Sequence, residues 1–267
     1  MIKPCKVSIV IPCFNHGKFL PEAVASVINI KRNDIELIVI DDGSIDEQTR
    51  KEMDALIAQG INVVRQKNKG PAAARNAGML VSKGEYILPL DADNRLRPRY
   101  IEHGIRILDA NPQVGVVYGD AEYIGTRTGR WHVGPFERDR LLRWNYIDNC
   151  AVYRRSVWEQ NRGYDAKIPV QGLEDWDFWL GALTHGWQFA YVPEVLFDYR
   201  VADHSLITRT YGFEAQITKY VERKHHFLYR FPIRWFKTRL KHHLGKTPHL
   251  LSVAQALQRR LLRNRNH

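Results

Sequence analysis

Two carboxylates one residue apart, Asp91 and Asp93, end the apolar run of residues 86–90. In a strand both side chains would share one face, where like charges repel and are costly to desolvate. Solvent, a basic side chain or a metal ion must compensate them. Mg²⁺ and Mn²⁺ prefer hard oxygen ligands and are usually completed by phosphate oxygens. The pair therefore indicates a divalent cation bound with a diphosphate, although alone it also fits a solvated loop.

Two further polar stretches offer groups that suit a nucleoside diphosphate. Arg75, within the sequence GPAAARNAG, could supply a planar guanidinium fork for phosphate oxygens. Asp41 or Asp42, in the sequence DDGS, could accept hydrogen bonds from a base N–H or a ribose hydroxyl. Each stretch also has a structural interpretation. GPAAARNAG could be a small-residue helix packed on a sheet, and DDGS could be a turn that caps a helix. Their combination favours nucleotide binding.

A third acidic group, formed by Glu174, Asp175 and Asp177, stands at the start of an apolar helical pattern. A carboxylate there could act as a general base, because neighbouring acids raise its pKa, although the helix N-terminus opposes that change. Without the upstream stretches, these residues would be read as ordinary first-turn acids that the helix dipole favours.

The elements that must position these groups alternate between strands and helices in the first ninety residues. Strands are predicted at residues 7–11, 35–40, 61–64 and 86–90, and helices at 19–28, 46–59 and 71–81. Strict alternation predicts βαβ units and a largely parallel sheet, whose ligands lie beyond the carboxyl ends of the strands. The polar clusters at residues 12–15, 41–44, 68–70 and 91–93 all fall at those ends.

The pattern changes after about residue 113. Strands are predicted at residues 114–118, 122–125, 189–192 and 195–200, and helices at 139–146, 156–161 and 174–185. We therefore predict an α/β domain over residues 1–222, with a nucleotide-sugar-binding half at 1–112 and a mixed acceptor half at 113–205. Residues 223–267 form a basic, aromatic-rich, helical C-terminal tail.

Five motifs, in order, resemble those of family 2 glycosyltransferases, which are inverting enzymes of the GT-A fold. They are VSIVIPCFNHGKFLPEAVASVI, IELIVIDDGSID, NKGPAAARNAG, YILPLDADN and GLEDWDFWL, and the likeness covers about residues 6–200. The resemblance implies a GT-A type, mostly parallel Rossmann-like sheet. It also implies transfer of a sugar from a UDP- or GDP-linked donor to an acceptor hydroxyl, in cell-surface polysaccharide or glycolipid synthesis.

The resemblance also implies roles for particular residues. Asp41 or Asp42 would hold the base, Arg75 and Asp91 the ribose and phosphates, and Asp175 would be the catalytic base, supported by Glu174. Asp93 would be the main ligand, beside Asp91, of a Mn²⁺ or Mg²⁺ cofactor. The expected donor-binding residues are Pro12, Phe14, Asn15, Asp41, Asp42, Asn68, Arg75, Asp91 and Ala92.

One stretch departs from the family pattern. Many relatives carry a histidine in a YRxHxxS sequence, but here Ala202 takes the place of that histidine if Tyr199, Arg200 and Ser205 are aligned. Asp203 or His204 would substitute from nearby, or the third metal ligand is missing. A lone histidine in a basic protein is more often an exposed surface residue.

Charge is concentrated in the tail. The formal net charge is +11, and residues 223–267 contain twelve Lys and Arg and no Asp or Glu, which leaves the first 222 residues at −1. Basic residues interleaved with aromatic ones favour an anionic membrane surface as partner. A helix packed on the domain with a solvated basic face is the alternative. Nucleic acid is the least favoured partner, because no recognised nucleic-acid motif accompanies the tail.

Composition limits where in the cell the protein is expected to act. No apolar run approaches the length of a membrane span, no signal-peptide pattern precedes the first strand, and the three cysteines lack metal-ligand spacing. We therefore expect a cytoplasmic protein that the tail attaches peripherally to the inner face of the membrane. Its acceptor would be a saccharide or a lipid-linked molecule.

Three other functions compete with this interpretation. A nucleotidyltransferase that makes the nucleotide-sugar shares a related sheet, but its Gly-rich loop is absent from the PCFNHG stretch after the first strand. A Rossmann dehydrogenase is disfavoured as well, because this sequence has no G-x-G-x-x-G motif after the first strand. A non-catalytic module that binds nucleotide-sugars is disfavoured because Asp91, Asp93 and Asp175 are all present.

Overall fold

The computed structural model describes residues 5–202 and 212–229. The chain divides into two units, Met1–His225 and His226–His267. Within the described residues of the first unit, the strands are β1 (Val7–Cys13), β2 (Ile35–Asp41), β3 (Asn62–Arg65), β4 (Tyr86–Pro89), β5 (Arg95–Leu96), β6 (Val114–Gly125), β7 (Gly129–Trp131), β8 (Val152–Arg154) and β9 (Gln188–Val201).

The helices of the same unit lie between these strands and after them. They are α1 (Leu20–Ile28), α2 (Glu47–Ala58), α3 (Pro71–Val81), α4 (Arg99–Ala110), α5 (Arg138–Leu141), α6 (Arg155–Asn161), α7 (Glu174–Thr184) and α8 (Glu214–Lys224). In the second unit the structure describes one short helix, α9 (His226–Tyr229).

The strands form one sheet in the order β3-β2-β1-β4-β8-β6-β9-β5, with β7 beside β6. Strands β1 to β4 pair in parallel, as the alternating pattern predicts, because each is joined to the next by a crossover helix. The second half is mixed: β6 and β9 are parallel, whereas β4–β8, β6–β8, β6–β7 and β5–β9 are antiparallel. This is the curled α/β sheet of the GT-A type.

Pro89 interrupts the pairing of β4 on one side only. Tyr86 and Leu90 donate their backbone N–H groups to β1. Because alternate residues of a strand direct their backbone groups to opposite neighbours, those of residues 87 and 89 face β8. Proline has no N–H to donate, and the ladder between β4 and β8 stops at Ile87 and Tyr153. The carboxyl end of β4 is therefore unpaired on its β8 side.

Several element predictions for the second half were wrong. Residues 114–125 form one continuous strand, not two, and residues 188–201 form another, because the long parallel β6–β9 ladder runs through irregular register shifts near Gly119 and Asp120. Helix α5 ends at Leu141 and not near residue 146. Helix α4 and the short strands β5, β7 and β8 were not predicted.

The core lies between the sheet and the helices that cover it. The core-facing positions of β1 and β4 are fully buried, as are residues 38–40 of β2, and α3 approaches the sheet closely at Gly78, where an added Cβ would lie 2.3 Å from Val10. Helix α7 contributes the largest buried side chains, Trp176 and Trp179. The helix that carries the third acidic group is thus anchored in the core.

Helix α8 buries two apolar side chains completely, those of Ile217 and Val221. At its end, Lys224 Nζ and His225 Nε2 contact the buried carboxylate of Asp177 in α7, at 2.7 and 2.9 Å. Among residues 5–202 and 212–229, the structure contains no helix that is both long enough and apolar enough to cross a membrane.

Candidate active site

The loops after β1 and β2 are joined by Asn15. Its backbone has φ 56°, and its side-chain Oδ1 accepts a hydrogen bond from Ile45 N at 2.8 Å, while its own N–H donates to Ser44 Oγ at 3.1 Å. Asparagine tolerates this left-handed conformation better than most residues. Asn15 therefore fixes the shape of the nucleotide side of the sheet edge.

Asp41 and Asp42 are both buried but differ in the hydrogen bonds they accept. Asp42 accepts three, from Gln66 Nε2 at 2.6 Å, Lys69 N at 3.0 Å and Gly70 N at 2.9 Å. Asp41 accepts one, from Ser44 N at 2.9 Å, and Arg65 lies 3.6 Å away. Asp42 thus holds the loop that begins α3, while Asp41 keeps more acceptor capacity for a ligand.

The guanidinium of Arg75 connects two of the predicted motifs. It is buried in α3, where Nη2 donates to Asp91 Oδ1 at 2.7 Å and Nη1 donates to Glu174 Oε1. Burial opposes its charge, but Asp91 and Glu174 more than compensate, so the pKa of Arg75 stays well above its ordinary value. A fixed positive fork therefore stands between the carboxylate pair and helix α7.

Asp93 lies next to Asp91 with little compensation of its charge. Burial and the charge of Asp91 raise the pKa of Asp93 to about 6, and His16 Nδ1 is 3.9 Å from its Oδ2. Two hard carboxylates that need a cation fit Mg²⁺ or Mn²⁺, with phosphate oxygens completing the shell. Among residues 5–202 and 212–229, no group of three or more His, Cys, Asp and Glu side chains could hold a metal by itself.

Glu174 and Asp175 are neighbours in sequence with different surroundings. Glu174 is buried, and its second oxygen accepts a hydrogen bond from Gly172 N at 2.7 Å, so both oxygens are occupied. Asp175 is half-buried, and burial, then Glu174 and Asp148, raise its pKa well above the ordinary value, against the effect of Arg75. Asp175 therefore has the raised pKa that suits a proton acceptor.

Sequence reasoning missed Asn145 and Asp148. Asn145 Nδ2 donates to Asp175 Oδ2 at 2.8 Å. Asp148 lies near Asp91, and burial and the charge of Asp91 raise the pKa of Asp148 to about 7. Asp148 comes before β8, a strand that the sequence pattern did not predict.

The remaining predicted site residues are placed as follows. Pro12 is half-buried in β1, Phe14 is 40% exposed in the loop that follows, Asn68 is exposed, and Ala92 is buried between the two carboxylates. Gly43 has φ 74°, and an added Cβ would lie 2.7 Å from Asn68 N, so the two loops meet there. His204 and Asp203 lie outside the residues that the structure describes, whereas Ala202 follows β9 directly.

Known structures share this fold. The crystal structure of S. aureus TarS 1-349 in complex with UDP-GlcNAc superposes with a TM-score of 0.66 at 16% identity, over 82% of this chain and 66% of that one. The complex of TarS 1-349 with UDP gives a TM-score of 0.61 at 17% identity, over 82% and 71% of the two chains. At such identity, the likeness establishes the fold.

Sequence relatives and a family model give the family. The chain is 37% identical to the glycosyltransferase GlyG of Streptococcus pneumoniae over 125 residues, which are 45% of this chain and 41% of GlyG. It is 25% identical to the putative glycosyltransferase EpsH of Bacillus subtilis over 221 residues, 76% of this chain and 63% of EpsH. The matches thus span less than two thirds of either relative, and the family model described as Glycosyl transferase family 2 matches residues 8–162. The chain therefore belongs to glycosyl transferase family 2.

Proposed function

We propose that the protein is an inverting glycosyltransferase that moves a sugar from a nucleoside-diphosphate donor to an acceptor hydroxyl. A UDP-linked donor is favoured over a GDP-linked one, because the TarS structures were obtained with UDP-GlcNAc and UDP. The acceptor is a saccharide or lipid-linked molecule, and the process is the synthesis of a cell-surface polysaccharide or glycolipid.

The observation that carries this proposal is the position of Arg75. One guanidinium contacts Asp91 of the expected diphosphate site and Glu174 beside the expected base. The positive charge that a departing diphosphate requires is therefore held within reach of the carboxylate that deprotonates an acceptor. A module that only stored nucleotide-sugars would not need an adjacent carboxylate with a raised pKa.

Asp175 is the general base in the reaction that we propose. Its carboxylate takes the proton of the acceptor hydroxyl as that oxygen attacks the anomeric carbon. The bond between the sugar and the diphosphate breaks, its electron pair stays on the diphosphate, and the configuration at carbon inverts. Arg75 stabilises the negative charge that develops on the leaving group. Glu174 keeps Arg75 and the turn at Gly172 in place.

A divalent cation completes the proposal. Asp91 and Asp93 would hold Mg²⁺ or Mn²⁺, which would neutralise charge on the donor diphosphate. We expect activity to vanish in EDTA and to return when Mn²⁺ or Mg²⁺ is added, and Asp93→Ala to abolish activity in a folded protein. Full activity in EDTA would leave the two carboxylates to solvent and to Arg75, and would remove the metal from the proposal.

A panel of UDP- and GDP-sugars, incubated with the protein and Mn²⁺ and assayed for released nucleoside diphosphate, tests the function as a whole. We expect one donor to be hydrolysed slowly without an acceptor, and Asp175→Asn to suppress that release. Release of pyrophosphate from a nucleoside triphosphate and a sugar phosphate would instead identify a nucleotidyltransferase. Binding of a donor without turnover under any condition would identify a non-catalytic module.

A further inference from the structure

The loop after α5 places Asn145 against the proposed base. Asn145 Nδ2 donates to Asp175 Oδ2 at 2.8 Å, and Asp175 Oδ1 accepts from Trp176 N at 2.8 Å, so each carboxylate oxygen has one donor. The orientation of the amide follows from chemistry, because a flipped side chain would set two oxygens against each other.

The same loop is tied to α7 at two more points. Trp176 Nε1 donates to Leu141 O at 2.6 Å, and Trp179 Nε1 donates to Ile147 O at 3.0 Å. Both tryptophans are fully buried, so these contacts fix the loop on either side of Asn145. The amide is therefore presented to Asp175 by a loop that the core itself holds in place.

The other end of the Asn145 amide makes no compensating contact. Its Oδ1 is buried and has no hydrogen-bond partner among the residues that the structure describes. A buried polar atom without a partner destabilises a fold, and an apolar side chain of similar size would avoid that cost. Stability therefore does not explain an asparagine at this position, whereas the hydrogen bond to Asp175 does.

We propose that Asn145 is a positioning residue, which holds the Asp175 carboxylate aimed at the acceptor hydroxyl. This inference rests on the proposed function of Asp175 as the base. Asn145 does not touch the donor in this account, so it acts on proton transfer and not on nucleotide binding.

Five titratable or charged groups act on Asp175. Glu174 adjoins it on α7, Asp148 faces it from the loop before β8, and Arg75 faces it from α3. Tyr164 lies after α6 and Tyr199 lies in β9. Burial and the two acids raise the pKa of Asp175, while Arg75 and the Asn145 hydrogen bond lower it. Loss of the Asn145 bond therefore raises that pKa further, and less of the base is ionised at a given pH.

The test compares Asn145→Ala and Asn145→Asp with wild type in full-length protein, with transfer measured from pH 5.5 to 9.5. We expect the acid limb of kcat to move about one pH unit higher in Asn145→Ala, and further in Asn145→Asp because a third acid is added. On the acid side, kcat should fall roughly tenfold and recover at alkaline pH. UDP affinity, measured by calorimetry, should be unchanged.

Asn161 provides the matched control. Its Nδ2 also donates to α7, at Phe178 O and 2.9 Å, and its Oδ1 is likewise buried without a partner in the described part of the chain. Asn161→Ala should change thermal stability and leave the acid limb in place. An acid limb that does not move in Asn145→Ala, or that moves equally in Asn161→Ala, would overturn the proposal.

A second measurement separates this proposal from the proposed function. In protein labelled with ¹³C at aspartate carboxyl carbons, the Asp175 signal is assigned by its loss in Asp175→Asn, and its titration needs no substrate. We expect Asn145→Ala to move that titration to higher pH even if no donor is turned over. An unmoved titration overturns the Asn145 proposal alone, whereas a moved one without any transfer overturns the proposed function alone.

Discussion

At the scale of single residues, Glu174 and Asp175 show how adjacent carboxylates acquire different chemistry. Both oxygens of Glu174 are occupied, by Arg75 and by Gly172 N, so it acts as a buried structural anion. Asp175 is bound by weaker neutral donors and lies beside two other acids, so its ionised form is disfavoured. The fold therefore gives two consecutive carboxylates different surroundings, one paired with a guanidinium and one bound by neutral donors.

Asp175→Asn should lower the rate of transfer while it raises the stability of the fold. The amide keeps the shape but cannot take a proton, so transfer should fall by about 10²–10⁴. Because the folded-state pKa of Asp175 is raised above its unfolded value near 4, ionised Asp175 destabilises the fold increasingly as pH rises above that value. Asp175→Asn should therefore raise Tm at pH 8 more than at pH 5, as measured by calorimetry.

Glu174→Gln serves as the internal control and should behave in the opposite way. It breaks the ion pair with Arg75 or the bond from Gly172, so stability should fall, by about 1–3 kcal/mol. Transfer should fall less than in Asp175→Asn. Near-normal transfer in Asp175→Asn together with a large loss in Glu174→Gln or Asp177→Asn would place the base elsewhere in this acidic group.

Several of these residues could be predicted from the sequence because they stand in local motifs at strand and helix ends. Arg75, Asp91 and Asp175 each follow a recognisable pattern, and the structure brings Arg75 into contact with Asp91 and places it beside Asp175 through Glu174. Asn145 and Asp148 belong to no such pattern, because their place beside Asp175 and Asp91 depends on how a loop folds over α7 and on the register of β8.

At the scale of elements, α8 contacts α7, the helix that carries the proposed base. Lys224 and His225 both contact Asp177, which lies one turn into α7 and is 3% exposed, and Lys224 also contacts Asp165. The side chains of Lys224 and His225 reach α7 from beyond the end of the predicted glycosyltransferase domain, in the segment that sequence reasoning assigned to the tail. The first residues of that segment therefore hold α7.

Asp177→Ala should destabilise the protein by about 2–4 kcal/mol in urea unfolding, because Lys224 and His225 lose a buried partner. The Glu47–Lys51 pair is the control, since both of its side chains are more than 70% exposed and lie one turn apart on α2. Lys51→Ala should cost no more than about 0.5 kcal/mol. Equal effects from the two variants would show that the Asp177 contacts contribute no more than a surface ion pair.

Element prediction succeeded where periodicity was strong and failed where pairing partners decided the outcome. The bounds predicted for α3, residues 71–81, are those observed, and β1 to β4 each lie within about two residues of prediction. The breaks predicted within β6 and β9 were wrong, because each strand is held by the other over their whole length despite local irregularity. Strands of two or three residues, such as β5 and β8, carry too little pattern to be found.

At the scale of the whole molecule, charge separates the tail from the rest. Residues 223–267 carry twelve cationic side chains and no acidic ones, whereas the first 222 residues are close to neutral. Anionic lipid attracts such a segment, and aromatic residues among the cations favour the headgroup boundary. The tail is thus the part of the sequence that suits a membrane surface at which a lipid-linked acceptor would be found.

Replacing Arg234, Lys237, Arg239 and Lys241 by glutamine in the full-length chain tests that prediction. These positions lie beyond the Asp177 contacts, so folding and UDP binding should be preserved. Sedimentation with anionic vesicles at low salt should weaken by at least tenfold, since each cation near the surface contributes about 1 kcal/mol. Salt should weaken the wild-type interaction in the same way. Wild-type protein that ignores anionic vesicles at low salt would contradict the membrane assignment.

The missing N–H of Pro89 has a consequence for access to the site. A residue with an amide hydrogen at this position could extend pairing between β4 and β8 toward Ala151, and the sheet would be continuous up to the turn that bears Asp91 and Asp93. Proline instead ends the β4–β8 ladder at Ile87 and Tyr153, and Asp91 and Asp93 follow on the β4 side while Asp148 precedes β8 on the other. Pairing that continued to the end of β4 would hold the two strand ends together beside the proposed donor site.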